Sequence, residues 1–107
     1  MSVLSEKDIQ SSILKNCGYF GFKLFRNNQG MIGGVKFGVG EGGGDLIGWK
    51  PVRITEDMVG DTLAIFASVE VKKPGQKMSA LQQKFYKDVQ ENGGIAICAT
   101  DIDDLRG

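Results

Sequence analysis

Residues 63–100 read LAIFASVEVKKPGQKMSALQQKFYKDVQENGGIAICAT, and the order of apolar, polar and breaker residues in this stretch decides the fold. Leu63 to Lys73 is rich in Val, Ile and Phe and ends at Pro74-Gly75, the composition and punctuation of a β-strand. Alternation puts Leu63, Ile65, Ala67, Val69 and Val71 on one face, where the valines are expected to anchor the strand. Ala64, Phe66, Ser68, Glu70 and Lys72 fall on the other. Ser79 and Gln82 then have capping-box spacing, Leu81, Phe85 and Val89 recur at helical intervals, and Asn92-Gly93-Gly94 closes the helix they predict. IAICAT, residues 95–100, reads as a second apolar strand. A strand, a helix and a strand in this order predict a right-handed crossover joining two parallel strands.

Upstream, Ser5 stands three residues before Asp8, Leu4 and Ile9 occupy the positions of a hydrophobic staple, and Ile9, Ile13 and Leu14 keep helical spacing. A helix is expected over residues 6–16. YFGFKLFRN (19–27) and VKFGV (35–39) are short extended runs on either side of a turn signal, NQG, and predict a hairpin. The glycine-rich GVGEGGG (38–44) leads into DLIGW (45–49), a brief strand, and residues 50–62 read as a connection from which Ile54 and Met58 cover part of the core. The expected order is helix, three strands that are antiparallel neighbours, helix, strand. That is an α/β fold in a single domain over residues 1–107, with no repeat and no dividing linker.

Thirteen basic residues balance thirteen acidic ones, which excludes a generally basic, histone-like binder but leaves room for a local patch. No apolar run is long enough to span a membrane, and the start lacks the pattern of a secretion signal, so a cytoplasmic protein is expected. There is no histidine, and Cys17 and Cys98 have no metal-binding spacing. Zinc-finger, Cys-His and Ser-His-Asp chemistry are thereby excluded, and both cysteines read as small buried apolar residues. Any metal must be held by oxygen, which points to magnesium or manganese.

The acidic residues carry the chemistry. Glu70 and Lys72 share one face of a rigid strand, placing an oxygen ligand beside a cation; the same pair on an exposed sheet is also an ordinary cross-strand charge pair. Asp45 stands where the glycine run enters a strand that is expected to neighbour the one carrying Glu70, so the two carboxylates could share a divalent ion. Asp45 is equally at home as a turn residue among glycines. The glycine run matches neither GxxxxGK[ST] nor a GxGxxG that opens a helix, which argues against a nucleotide-cradling loop. Its glycines are expected to let the chain turn tightly on the way to Asp45.

Asp45, Glu70-Val71-Lys72 and the glycine-rich approach together resemble the PD-(D/E)xK nuclease superfamily, and within it the virus-type replication-repair nuclease family, VRR-NUC. SEKDIQ, FRNNQG, GEGGGDLIG, SVEVKK, SALQQKF and ENGGIAI occur in that family's order and cover nearly the whole chain. One departure is Gly44, which precedes Asp45 where the superfamily name has proline. The resemblance implies a restriction-endonuclease-like core of order α-β-β-β-α-β, a mixed sheet flanked by helices. It implies that Asp45, Glu70 and the carbonyl of Val71 bind Mg2+ or Mn2+, and that Lys72 orients or activates the attacking water. Glu6 would complete the site from the first helix and Gln82 support it from the second, although Glu6 also suits a helix dipole and Gln82 a capping box.

Arg26, Lys36, Lys73 and Lys77 are candidate DNA contacts, with Lys84 and Lys87 equally readable as a solvated face. The function implied is a metal-dependent endonuclease acting on branched DNA, a four-way junction above all, as a homodimer with two sites, as in Holliday-junction resolvases. A flap nuclease and a non-catalytic DNA-binding module on the same fold are the alternatives. A virus or prophage origin is suggested by the resemblance and by the chain's small size, and by no residue.

Overall fold

The computed structural model describes residues 4–40 and 42–106 and divides the chain into two compact units, Met1–Val52 and Arg53–Gly107. Glu41, within the glycine run, lies outside the described residues.

The first unit opens with α1 (Glu6–Asn16), whose bounds are those the sequence predicts. Ser5 caps it: its hydroxyl accepts from the Asp8 N–H at 3.1 Å, and the Asp8 carboxylate accepts from the Ser5 N–H at 3.4 Å. Cys17–Phe20 then form a 3₁₀ turn that ends on Gly21 in the left-handed conformation. Strand β1 (Lys23–Arg26) follows, then β2 (Gly30–Ile32), β3 (Val35–Phe37) and β4 (Leu46–Trp49).

The pairing corrects the expected hairpin. Residues 19–27 do not pair with 35–39; β1 runs antiparallel to β4, with Lys23 opposite Trp49 and Arg26 opposite Leu46. The hairpin is β2–β3, turning on Gly33 and Gly34, both at positive φ (56° and 80°). Two consecutive left-handed residues give the turn that matches strand twist, which only glycine supplies without strain here. This hairpin adds strands to the expected order, so five of them precede the second helix, and the described strands pair as three two-stranded sheets. Mixed α/β architecture holds, while the order α-β-β-β-α-β is not the order of the described elements.

The second unit contains the crossover: β5 (Ala67–Val71), α2 (Ala80–Glu91) and β6 (Ile95–Ala99), with β5 and β6 parallel as predicted. β5 is shorter than expected. Residues 63–66 lie outside it because β6 offers ladder partners only from Ile95 onward, beginning with the Ile95 N–H donating to the Phe66 carbonyl at 2.9 Å. At its far end, Lys73-Pro74-Gly75-Gln76 makes a turn with Gly75 at φ 85° and the Gln76 N–H donating to the Lys73 carbonyl, the geometry of a type II turn with proline second and glycine third.

Val89, Ala96 and Ala99 are the buried apolar residues among those described. The double glycine after α2 has a reason in each residue. Gly93 takes φ 85°, and a Cβ on Gly94 would press on Val89 at 2.8 Å and on the Phe66 carbonyl at 3.0 Å. Within this unit α2 covers the face carrying Ser68 and Glu70, whereas Val71 on the opposite face is 74% exposed. The valines therefore do not anchor β5 as expected. Cys98 is exposed rather than buried, since β6 has a strand neighbour on one side only among the described residues, and Cys17 is half-buried, its thiol donating to the Leu14 carbonyl.

Candidate active site

Glu70 sits in the middle of a small constellation. It occupies β5 opposite Cys98 of β6, half-buried, with its side chain turned toward α2. The Gln82 amide donates through Nε2 to Glu70 Oε1 at 2.9 Å, and Lys72 Nζ lies 3.7 Å from the same oxygen. Lys72 is itself largely enclosed, with 19% of its side chain exposed, and its N–H extends the ladder by donating to the Ala99 carbonyl at 2.9 Å. Glu70 and Gln82 thus stand on regular elements and Lys72 directly after β5, held by its ladder bond, the condition for holding a reactive geometry closely.

Gln82 makes two sets of contacts at once. Its Oε1 accepts from the Ser79 N–H at 2.8 Å while Ser79 Oγ accepts from the Gln82 N–H at 3.1 Å, completing the capping box. The same amide has its nitrogen left to donate, and that nitrogen meets Glu70. Glutamine suits this place where glutamate would not: a carboxylate could keep the cap but would bring a like charge against Glu70. Both contacts engage Oε1 and leave Oε2 as an open acceptor among the described residues. Beside the pair lies a hollow of ≈ 300 Å³, lined by Ser68, Glu70, Leu81, Gln82, Phe85 and Tyr86 together with Ile97. Sequence reasoning passed over Tyr86; its i+4 spacing from Gln82 was the available signal.

In the first unit, the glycine run is a built loop and not a slack joint. Asn27 organises it: its Nδ2 donates to the Gly44 carbonyl at 2.9 Å, its Oδ1 accepts from the Val39 N–H at 3.2 Å, and its own N–H donates to the Asp45 carbonyl at 2.9 Å. Gln29 adds a bond to the Gly43 carbonyl. Gly38, at φ 91°, lies against the Asn28 carbonyl so closely that a Cβ would approach it to 2.7 Å. Asp45, exposed, is therefore placed through its backbone one residue before β4, and its carboxylate takes no hydrogen bond among the described residues. Local pattern marks Asn27 only as the end of the extended run 19–27 and as part of FRNNQG; a latch formed across 12 to 18 residues leaves no local mark in the sequence.

The remaining predicted residues fall in different settings. Glu6 is the first, exposed residue of α1, where its charge suits the helix dipole. Arg26 is engaged in structure, donating to Gln10 Oε1 at 3.0 Å and Ser11 Oγ at 3.4 Å, and so ties β1 to α1. Lys36 lies on exposed β3, and Lys73 and Lys77 lie exposed between β5 and α2. Lys87 pairs with Glu91 at 3.9 Å on the surface of α2, which favours the solvated-face reading for that residue.

The candidate donors are oxygens. Glu70 Oε2 and the Val71 carbonyl belong to one strand, with no imidazole anywhere in the chain, a chemistry that fits a hard divalent ion and not zinc. No group of three or more acidic or thiol side chains gathers within either unit among the described residues. The structure brings Glu70, Lys72 and Gln82 together; Asp45 and Glu6 belong to the first unit and are described there alone.

No curated protein and no solved structure matches the chain. A family model described as the VRR-NUC domain does, over residues 27–100. The match begins at the Asn27 latch, takes in Asp45, the Glu70–Lys72 strand and Gln82, and ends just beyond β6, leaving α1 and Glu6 outside it. As it covers well over half of the residues, this chain belongs to the VRR-NUC family of nuclease domains.

Proposed function

We propose that this VRR-NUC chain is a divalent-metal-dependent, structure-selective DNA endonuclease, that residues 1–107 act as one nuclease domain, and that a four-way junction is its preferred substrate. The observation that carries the reading is the convergence of Gln82 and Lys72 on one oxygen of Glu70 within a domain of this family.

In this reading Glu70 Oε2 and the Val71 carbonyl would hold the ion, and Asp45 and Glu6 keep the ligand roles that the resemblance implies. Mg2+ or Mn2+ bound there would polarise the scissile phosphate and lower the pKa of a bound water. The chain's own residues do the positioning. The Gln82 amide fixes the Glu70 carboxylate through one oxygen and leaves the other, Oε2, as the one that would be offered to the ion. Lys72 keeps a positive charge beside that carboxylate, where it orients the attacking water and offsets negative charge developing on the phosphorus oxygens. The half-buried setting of Lys72 strengthens that effect relative to a fully solvated lysine. The Asn27 latch presents Asp45 through a hydrogen-bonded loop, and its glycines carry no side chains to obstruct a phosphodiester backbone. Lys36, Lys73 and Lys77 are proposed backbone contacts; Arg26 contributes by holding β1 against α1. A two-fold homodimer presents two such sites to the two matching strands of a junction.

The test is a panel of end-labelled DNAs incubated with the protein and magnesium or manganese: a four-way junction, a flap, a linear duplex and a single strand. Paired symmetric nicks confined to the junction are the expected result. Cutting at flaps or along the duplex keeps the nuclease and removes the junction preference. Tight junction binding with no metal-dependent cutting turns the assignment to a binding module.

A further inference from the structure

Between Asp8 and Glu41 the chain holds Lys15, Lys23, Arg26 and Lys36 and no acidic residue, although charges balance over its whole length. Tyr19, Phe20, Phe22, Phe25 and Phe37 fall in the same acid-free stretch. The fold of the first unit concentrates part of this material at one turn. Tyr19 and Phe20, on the 3₁₀ turn, are 87% and 70% exposed. The β1–β4 pairing carries Lys50 to the same place: its Nζ lies 5.1 Å from the centre of the Phe22 ring, and its side chain runs beside Gly21. On the strand itself Lys23 Nζ lies 5.7 Å from the Trp49 ring.

From this we infer that the Tyr19–Lys23 turn, with Lys50, is a docking surface for unpaired DNA bases. It rests on the nuclease reading only for the statement that the ligand is DNA on its way to be cut. Bare rings interleaved with cations are the two elements from which a single-strand surface is made: each base finds a π-face, and the backbone finds positive charge. The charge pattern selects this occupant over a second copy of the chain. A two-fold contact made by this patch would set Lys50 and Lys23 against their own equivalents, whereas a polyanion is complementary to all of them. Such a surface would grip bases that come unpaired at a branch point, and it lies in a different unit from Glu70 and Lys72.

The experiment is fluorescence anisotropy in EDTA, so that no cutting occurs, with a labelled oligothymidylate and a matched duplex as probes. The parent is expected to bind the unpaired strand more tightly, with an affinity that falls steeply as salt rises. Tyr19→Ala and Phe20→Ala should each weaken binding about tenfold, and Lys50→Gln should reduce the salt dependence, with far-ultraviolet circular dichroism unchanged. To remain decisive if a variant does not fold, bromodeoxyuridine-substituted oligonucleotide is crosslinked to the parent and the joined peptide identified by mass spectrometry; it should contain Tyr19 or Phe20. Folded variants that bind as the parent does, equal affinity for the duplex, or crosslinks confined to another segment overturn the inference. So does a parent dimer that the ring variants convert to monomer without loss of DNA binding. A parent that binds through these rings yet cuts nothing with metal leaves this surface standing and removes the nuclease reading instead.

Discussion

Two carboxylates of this chain are held by opposite means. Glu70 is fixed through its side chain: an amide from α2 and an ammonium from its own strand meet one oxygen, and all three residues stand on or beside regular elements. Asp45 is fixed through its backbone: the Asn27 N–H takes its carbonyl, the Asn27 amide takes the carbonyl before it, and the carboxylate is left exposed. The difference teaches where each can fail. Around Glu70 a change of one charge alters the chemistry while leaving the fold; around Asp45 a change of one backbone partner alters the loop first and the carboxylate only as a consequence.

The sharpest break of that contrast is at Lys72. Lys72→Ala removes the charge 3.7 Å from Glu70 and should slow metal-dependent cutting by about 10²–10³-fold, with the thermal midpoint nearly unchanged; single-turnover kinetics on labelled branched DNA would read it. Next comes a pair that separates the two duties of Gln82. Gln82→Glu keeps the capping box but confronts Glu70 with a second carboxylate, so cutting should drop about 10- to 100-fold while stability stays near the parent's. Ser79→Ala should do the reverse, costing about 1 kcal/mol in urea unfolding and sparing the reaction.

On the loop side the expected effects are smaller and structural. Asn27→Ala strands the Val39 N–H and the Gly44 carbonyl and should destabilise the first unit by about 1–2 kcal/mol, with faster amide exchange at Val39 as the readout. Equal loss of cutting by Asn27→Ala and Lys72→Ala at full folding would erase the distinction between the two carboxylates. The smallest effect belongs to a site outside both. The Thr100 N–H, and after it the Asp101 N–H, hold the Asp104 carboxyl below the usual carboxylate range. A lowered folded-state pKa makes its contribution present above the unfolded value and lost as pH falls through the folded one. The 3₁₀ turn at Ile102–Leu105 should therefore loosen only below about pH 4, seen as shifts of the Thr100 and Asp101 amide resonances.

Local signals made the second unit legible in the sequence. Ser79 and Gln82 at capping-box spacing, the Leu81, Phe85 and Val89 repeat and the Gly93-Gly94 stop each state a short-range rule, and the parallel crossover follows from their order. The capped helix over Glu6–Asn16 was legible for the same reason. The first unit depends on partners far apart in the chain. That β1 joins β4 rather than the nearer β3 is set by ladder bonds and by the Asn27 latch, neither of which has a sequence period. Gly33-Gly34 is a turn signal in its own right, whereas the expected hairpin rests on NQG alone. At the site, Glu70 and Lys72 could be placed on one face by alternation alone, yet the division of the Gln82 amide between cap and carboxylate needed atomic positions. The aromatic run at 19–22 read as strand because alternation is blind to a 3₁₀ turn.

The central claim is that Glu70 is the carboxylate on which cutting depends. It is tested most directly by incubating end-labelled four-way and flap DNA with the parent and with Glu70→Ala, with and without manganese, after circular dichroism has shown both folded. The account expects metal-dependent cutting by the parent and its disappearance in the variant while DNA binding persists. Equal metal-dependent cutting by Glu70→Ala would contradict it and place the chemistry elsewhere in the chain.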